Sequence, residues 1–289
     1  MQINQTRSTA NSQAKVDLHI HSDQSDGLLS YKEIIDYSIK IELKAISITD
    51  HDNISRLGDA EKYASDKGLE FIPGIEISAQ SRNSDVHLLG YFIDYNAKYL
   101  IDYVDYFKQE RIKRAKKTVK LLNNLGCNLS FRTVQDIAQK GSIGRPHIAD
   151  AMVKHGCVDN YHEAFNKYIG DGRPCAVPKY KITPHEAISL INRAGGICVL
   201  AHPGEDINDA GTFNLIKLGL DGIETLHPRH NQKQVNRFRE IIHKNGLVET
   251  GGSDYHGKHN NDILIGRMNV PYSFVEKMKE RLSNLNNSS

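Results

Sequence analysis

The sequence predicts an α/β chain whose strands favour a barrel, with a helical segment inserted between two of them. Three observations carry this. Short apolar runs alternate with amphipathic helical stretches, the βαβα rhythm of parallel strands joined by helical crossovers. Seven or so such runs in one chain of 289 residues favour a barrel over an open sheet. Residues 97–180 drop the rhythm and read as helices alone.

In chain order, residues 1–14 are polar and lack the apolar core of a signal peptide, so a disordered tail is expected. "KVDLHI" reads as the first strand. "SYKEIIDYSIKIEL" reads as a helix, with Ser30 as N-cap and Glu33 completing a capping box. "KAISIT" is a strand of the buried type, and "DAEKYASDKG" a helix. "LEFIPGIEI" and "DVHLLGYFI" read as strands. In the insert, "IKRAKKTVKLLNNLG" places Ile112, Ala115, Val119 and Leu122 at helical spacing, with Gly126 as its stop. "SFRTVQDIAQKG", "RPHIADAMVKHG" and "NYHEAFNKYIG" read as further short helices. "TPHEAISLINRAGG" has Thr183 as N-cap, Pro184 at the first helical position and Glu186 in the box. "ICVLA", "DGIETL" and "GLVET" are strands, and Ser273 with Glu276 boxes in a final helix.

Composition narrows the class. A net charge of +2 with 25% charged residues gives no bulk pull toward nucleic acid, and 39% hydrophobic residues suit a soluble globule. No run has the length of a membrane span, and a cytoplasmic location is expected. The four cysteines are scattered without a C-x-x-C pair, which predicts buried free thiols in a reducing compartment.

Chemistry-bearing residues recur where strands run out. His19 and His21, at i and i+2, share one face of a strand. Asp26 follows in a glycine-containing loop. His51 ends "AISITDH", Glu76 ends "FIPGIE", and His87 lies in "DVHLLGY". His202 ends "ICVLAH", and Asp254 and His256 sit in "GGSDYHG". In α/β barrels, chemistry gathers at the C-terminal mouth of the strands, so these residues are expected to meet. Six histidines and three carboxylates exceed one ion's needs and point to two or three divalent ions. Mixed imidazole and carboxylate ligation suits Mn, Fe or Zn better than Mg or Ca, and the lack of thiolates suits an open catalytic site.

The motifs "DLHIHS", "SDG", "ITDHD", "GIEIS", "VHLLGY", "VLAHP" and "GGSDYHG" span Asp17 to Gly257 and resemble the PHP (polymerase and histidinol phosphatase) family of metal-dependent phosphoesterases. "GRPHIA" and "HPRH" resemble most the branch acting on nucleoside 3′,5′-bisphosphates, AMP or RNA 5′ ends. The resemblance implies a distorted (β/α)7 barrel, residues 15–96 and 181–289, with a helical cap domain, residues 97–180. It implies one metal on His19, His21, Glu76 and Asp254. A second would share Glu76 and take His87 and His202, and a third would take Asp26, His51 and His256.

The implied reaction is hydrolysis of a small nucleotide's phosphate monoester by attack of a metal-bound hydroxide. No G-x-S-x-G, Cys-His pair or P-loop competes with that reading. Either Asp50 or Asp52, flanking His51, could orient a ligand imidazole. His227 and His230 are candidate proton donors to the leaving group, with His230 preferred, and Arg229 is a candidate phosphate contact. In the insert, Arg145 is the first choice for phosphate because a guanidinium offers a forked pair of bonds, with His147 assisting. Arg111 and Arg114 on the basic helix, Lys179 and Lys181 are further candidates, although that helix reads first as a solvated face. Tyr180 could stack on a base. The expected partner is a small nucleotide or a short oligonucleotide, with no membrane and no obligate protein partner. The alternatives are a 5′–3′ exonuclease on short RNA or DNA, a histidinol-phosphate type phosphatase, and a non-catalytic metal-binding module.

Overall fold

The computed structural model describes residues 14–81, 84–138, 143–204, 207–257 and 263–287. Except for Ala14, the expected tail lies outside the described residues. The chain divides into two compact units, one running to Ile101 and resuming at Lys181, the other Asp102–Tyr180.

The first unit is a mixed α/β structure. Its strands are β1 (Lys15–Ile20), β2 (Ala45–Ile48), β3 (Glu70–Phe71), β4 (Gly74–Ser81), β5 (Ser84–Tyr91), β6 (Ile197–Leu200), β7 (Gly222–Leu226), β8 (Val248–Gly251) and β9 (Val270–Pro271). They form two sheets, ordered β3-β2-β1-β9 and β4-β5-β6-β7-β8. Among the described residues no closed barrel ring is present. Isolated parallel bridges, Ile20 to Tyr255 and His51 to Glu76, join the two sheets just beyond strand ends.

The expected parallel order holds for β1–β2, β2–β3, β6–β7 and β7–β8, but fails for β4–β5, β5–β6 and β1–β9, which are antiparallel. For β4–β5 the cause is connection length. β4 and β5 are too close in sequence for a crossover helix, so the chain must fold back as a hairpin. The single strand expected over "LEFIPGIEI" is two: β3 pairs with β2, and β4 pairs with β5 in the other sheet. Pro73 lies between them and has no N–H to donate to a ladder.

Helices α1 (Tyr31–Lys40) and α2 (Leu57–Asp66) follow β1 and β2. The expected Ser30–Glu33 box is present, with the Glu33 carboxylate accepting the Ser30 N–H at 2.8 Å. Helix α3 (Lys98–Asn124) is longer than its sequence pattern suggested, and Gly126, at φ 90°, makes the turn after it. The second unit adds α4 (Phe131–Ala138), α5 (Arg145–Lys154) and α6 (Tyr161–Ala164), the last running into a π-helical turn over Phe165–Ile169. Back in the first unit lie α7 (Pro184–Arg193), α8 (Asp209–Lys217), α9 (Gln232–Asn245) and α10 (Ser273–Asn286). Thr183 caps α7 with the expected box. At α10 the expected Ser273–Glu276 box is absent: Ser273 is already helical, Tyr272 is the N-cap, and no side chain caps the end.

Each unit has its own core. In the first, Val16, Leu18, Leu89, Val199, Val270 and Val275 pack together, and Ile20, Ile34, Ile46 and Ile48 form a second cluster. In the second, Leu122, Val134, Ile148 and Met152 are fully or almost fully buried. The expectation of four free thiols is corrected here. Cys127, after α3, and Cys157, after α5, are joined by a disulfide, whereas Cys175 and Cys198 are free and buried. Thirty residues separate the bonded pair in sequence, so spacing alone carried no signal.

Candidate metal centre

Strand ends of the first unit bring the nine expected ligands together. His19 lies in β1 and His21 just past it, with both rings fully buried. Glu76 lies in β4 with no exposed surface. Its carboxylate is the hub. Oε1 lies 2.9 Å from His87 Nδ1 and 3.1 Å from His202 Nε2. Oε2 lies 3.0 Å from His51 Nδ1, 3.2 Å from His21 Nε2 and 3.5 Å from His19 Nε2. Asp254 Oδ1 lies 3.2 Å from His21 Nε2, 3.4 Å from His19 Nε2 and 3.5 Å from His256 Nδ1. Asp26 Oδ1 lies 3.2 Å from His256 Nε2 and 3.9 Å from His21 Nδ1.

The backbone makes these approaches possible. Gly252 lets the segment after β8 run against β1, since a Cβ there would sit 2.4 Å from the His19 Cβ and nitrogen. His202 and Asp254 have φ of 25° and 49°, conformations that cost a non-glycine residue about 1–3 kcal/mol and recur at functional sites.

Three overlapping groups have the compactness an ion requires: His21, Asp26, His51 and His256; His19, His21 and Glu76; and His51, Glu76 and His87. The first contains the expected set Asp26, His51 and His256, and the second and third follow the expected division in part, but His21 reaches both the first and second groups, and His51 joins Glu76 as well as Asp26. The donor set fits divalent ions on a further ground. His21 Nδ1, His51 Nδ1, Glu76 Oε2 and His87 Nδ1 are buried without a hydrogen-bond partner, although some approach one another closely. His19 Nε2 and His21 Nε2 lie 3.1 Å apart. Buried polar atoms this crowded and unsatisfied are costly unless a cation takes their lone pairs.

The electrostatics agree. Burial opposes charge on His21, but Asp254 and Glu76 overcome it and lift the imidazolium to about 10. Burial raises and the surrounding imidazoles lower Glu76, Asp26 and Asp254, with the imidazoles prevailing at all three. His51 is pushed down to about 4, chiefly by burial.

Residues around the ligands carry roles the sequence did not reveal. Asp50 accepts the Ser22 N–H at 2.7 Å and the hydroxyls of Ser22 and Ser25 at 2.6 Å, so it fastens the loop carrying Asp26. Asp52 accepts the Ser78 N–H at 3.0 Å. Asp17 accepts N–H groups of Ser253 and Gly266 at 2.9 and 2.8 Å. Glu224 is fully buried beside His19 at 3.0 Å. The available signal was a carboxylate inside an apolar strand, in "KVDLHI" and "GIETL", since a buried charge needs partners.

His227 Nε2 lies 3.3 Å from Asp254 Oδ2, while its Nδ1 accepts the Arg229 N–H at 3.1 Å. His230 has both nitrogens engaged. Its Nδ1 lies 2.9 Å from the Thr225 carbonyl, and its Nε2 accepts the Gly204 N–H at 3.1 Å. The ring is therefore neutral with its one proton on Nδ1, and burial lowers its pKa further. That arrangement ties two loops together. The Arg229 side chain is exposed.

In the second unit, Arg145 opens α5 and pairs with Asp171 at 2.6 Å. The His147 ring accepts the Gly144 N–H at 3.0 Å and so caps that helix. Arg114 donates to the Val177 carbonyl at 2.8 Å, and burial, with Arg145 and Arg111 nearby, lowers it to about 10. Lys179 and Arg111 lie over the Phe107 ring, and Tyr180 meets Tyr106 and Phe107 edge-on. Lys181, in the first unit, pairs with Asp85.

Known proteins resemble this chain in sequence and in fold. The PHP domain model matches residues 17–172. A 3′,5′-nucleoside bisphosphate phosphatase from Chromobacterium violaceum is 30% identical over 84% of this chain and 87% of its own. A 5′-3′ exoribonuclease from Haemophilus influenzae is 32% identical over 84% of this chain and 90% of its own. The crystal structure of a candidate metal-dependent phosphoesterase from Bifidobacterium adolescentis superposes with a TM-score of 0.83 at 27% identity, covering 93% of this chain and 96% of that one. Taken with the imidazole and carboxylate cluster, these matches show that the chain belongs to the PHP domain family and is a metal-dependent phosphoesterase, a hydrolase of phosphoric ester bonds.

Proposed function

We propose that the protein removes a phosphate monoester from a small nucleotide, a nucleoside 3′,5′-bisphosphate or AMP, at two or three divalent ions. Mn, Fe and Zn suit the donor set, and the ligands are His19, His21, Asp26, His51, Glu76, His87, His202, Asp254 and His256. The observation that carries the reading is the Glu76 carboxylate, buried within 3.5 Å of five imidazoles. Ions held there would supply a water of lowered pKa and neutralise charge on phosphoryl oxygens. The chain supplies the cage. Glu76 offers one oxygen to each side of it, and Asp254 and Asp26 hold the face near His256. The exposed Arg229, two residues after His227, is proposed to meet a substrate phosphate.

Similarity to the bisphosphate phosphatase supports the mononucleotide substrate. Similarity to the exoribonuclease supports a second reading, stepwise cleavage of short RNA from its 5′ end, since both reactions break a phosphate ester. The deciding experiment strips the protein of metal, restores Mn²⁺, and supplies AMP, a 3′,5′-bisphosphate and a 5′-phosphorylated short RNA beside His19→Ala. Phosphate released from the small nucleotides, lost in His19→Ala, is the expected result. Mononucleotides from the RNA, with no phosphate from the small substrates, would favour the second reading. Inertness toward all three would overturn both.

A further inference from the structure

We infer that Glu224 is a positioning residue for the metal centre, one carboxylate that fixes the ring of His19 and the backbone of His202 so that both aim their Nε2 atoms at Glu76. The inference rests on the metal-centre reading. Glu224 lies in β7, between β6 and β8, with no exposed surface. Its Oε1 is 3.0 Å from His19 Nδ1, and its Oε2 accepts the His202 N–H at 2.7 Å.

Each bond has a consequence. An ionised carboxylate only accepts, so the proton of His19 sits on Nδ1. In the neutral ring that an ion requires, Nε2 then keeps its lone pair and points it toward Glu76, Asp254 and His21 at 3.5, 3.4 and 3.1 Å. His202 stands at φ 25°, which a non-glycine residue holds only when its surroundings force it. The hydrogen bond from its N–H to a charged acceptor provides that force. With the backbone so held, His202 Nε2 reaches Glu76 Oε1 at 3.1 Å, and its ring stacks on that of His19 with centroids 5.6 Å apart. Both Glu224 oxygens are turned to these groups. Its part is therefore to orient two ligands, which a bound ion would feel as tighter coordination.

Glu224→Gln tests this at constant volume. An amide accepts on one side only, so its NH₂ either faces the His202 N–H, donor against donor, or donates to His19 Nδ1 and moves that ring's proton to Nε2. Metal-free wild type, Glu224→Gln and Glu224→Asp are titrated with Mn²⁺ by calorimetry, with thermal unfolding of the metal-free proteins as the folding control. The expected result is a folded Glu224→Gln that binds Mn²⁺ roughly ten- to a hundredfold more weakly, with partial recovery in Glu224→Asp, where the charge returns on a shorter stem. Wild-type affinity in Glu224→Gln would overturn the proposal. Should that variant fail to fold, nitrogen-detected NMR of the histidine rings in Zn²⁺-loaded wild type decides. A proton on His19 Nδ1 supports the proposal and one on Nε2 overturns it. A wild type that binds no ion overturns the metal-centre reading too, and is told apart because the failure appears before any substitution.

Discussion

Glu76 places two carboxylate oxygens among five imidazoles, a crowding of lone pairs that suits a bound cation. Glu76→Gln keeps the volume and removes the charge. We expect the metal content per chain to drop on elemental analysis and phosphate release to fall roughly 10²-fold or more, beyond the cost of losing an outer partner. Wild-type metal content in that variant would mean the carboxylate is only a counter-charge. Gly252 matters for a different reason. An alanine methyl there meets His19 backbone and Cβ at 2.4 Å, and neither belongs to a flexible side chain. Gly252→Ala should lower stability by about 1–3 kcal/mol in denaturant unfolding and reduce Mn²⁺ uptake in parallel. Loss of stability with full uptake would show that β8 can shift without disturbing His19.

At the scale of elements, α1, α7 and α9 are held at their starts by reciprocal caps. Thr183 Oγ1 accepts the Glu186 N–H at 3.3 Å, and the Glu186 carboxylate accepts the Thr183 N–H at 2.7 Å. Thr183→Ala should cost about 1 kcal/mol of stability. The bond from the Thr183 N–H, then that from its hydroxyl, hold the Glu186 carboxyl below its ordinary 4.5. A folded-state value below the unfolded one means the box contributes fully above 4.5 and fades as pH falls through the folded value. The gap in unfolding temperature between wild type and Thr183→Ala should therefore narrow in acid. A gap that stays constant across that range would remove Glu186 from the account. The box read into "SFVE" at α10 shows the limit of such motifs: the same residue types occur there, yet the helix begins one residue too early for Ser273 to cap it.

For the whole molecule, the two units carry separate cores, and the disulfide lies wholly within the helical one. Closing the chain between Cys127 and Cys157 restricts the unfolded ensemble and should stabilise that unit by about 2–4 kcal/mol. Denatured, unreduced protein should react with two equivalents of a thiol reagent, matching Cys175 and Cys198, and with more after reduction. Cys127→Ser/Cys157→Ser should unfold at lower temperature. Four reactive thiols without reductant would mean that the pair is not bonded in the purified protein. Among the described residues no helix is long and apolar enough to cross a membrane.

What the sequence by itself determined was local. Period-two and helical apolar patterns located most strands and helices, caps located several helix starts, and histidines and acids at strand ends marked the residues that the fold gathers around Glu76. Each of these signals spans a few residues, so it is legible without knowing what lies across the fold. Only the tertiary structure decided that β4 to β6 run antiparallel, that Cys127 meets Cys157, and that His51 faces Glu76. Glu224 makes the reason plain: it lies 205 residues from the ring it holds, and a carboxylate in an apolar run states that it needs partners without saying which. Pairing at that separation is set by strand order and by which faces are buried together, and neither is written in any one stretch of the chain.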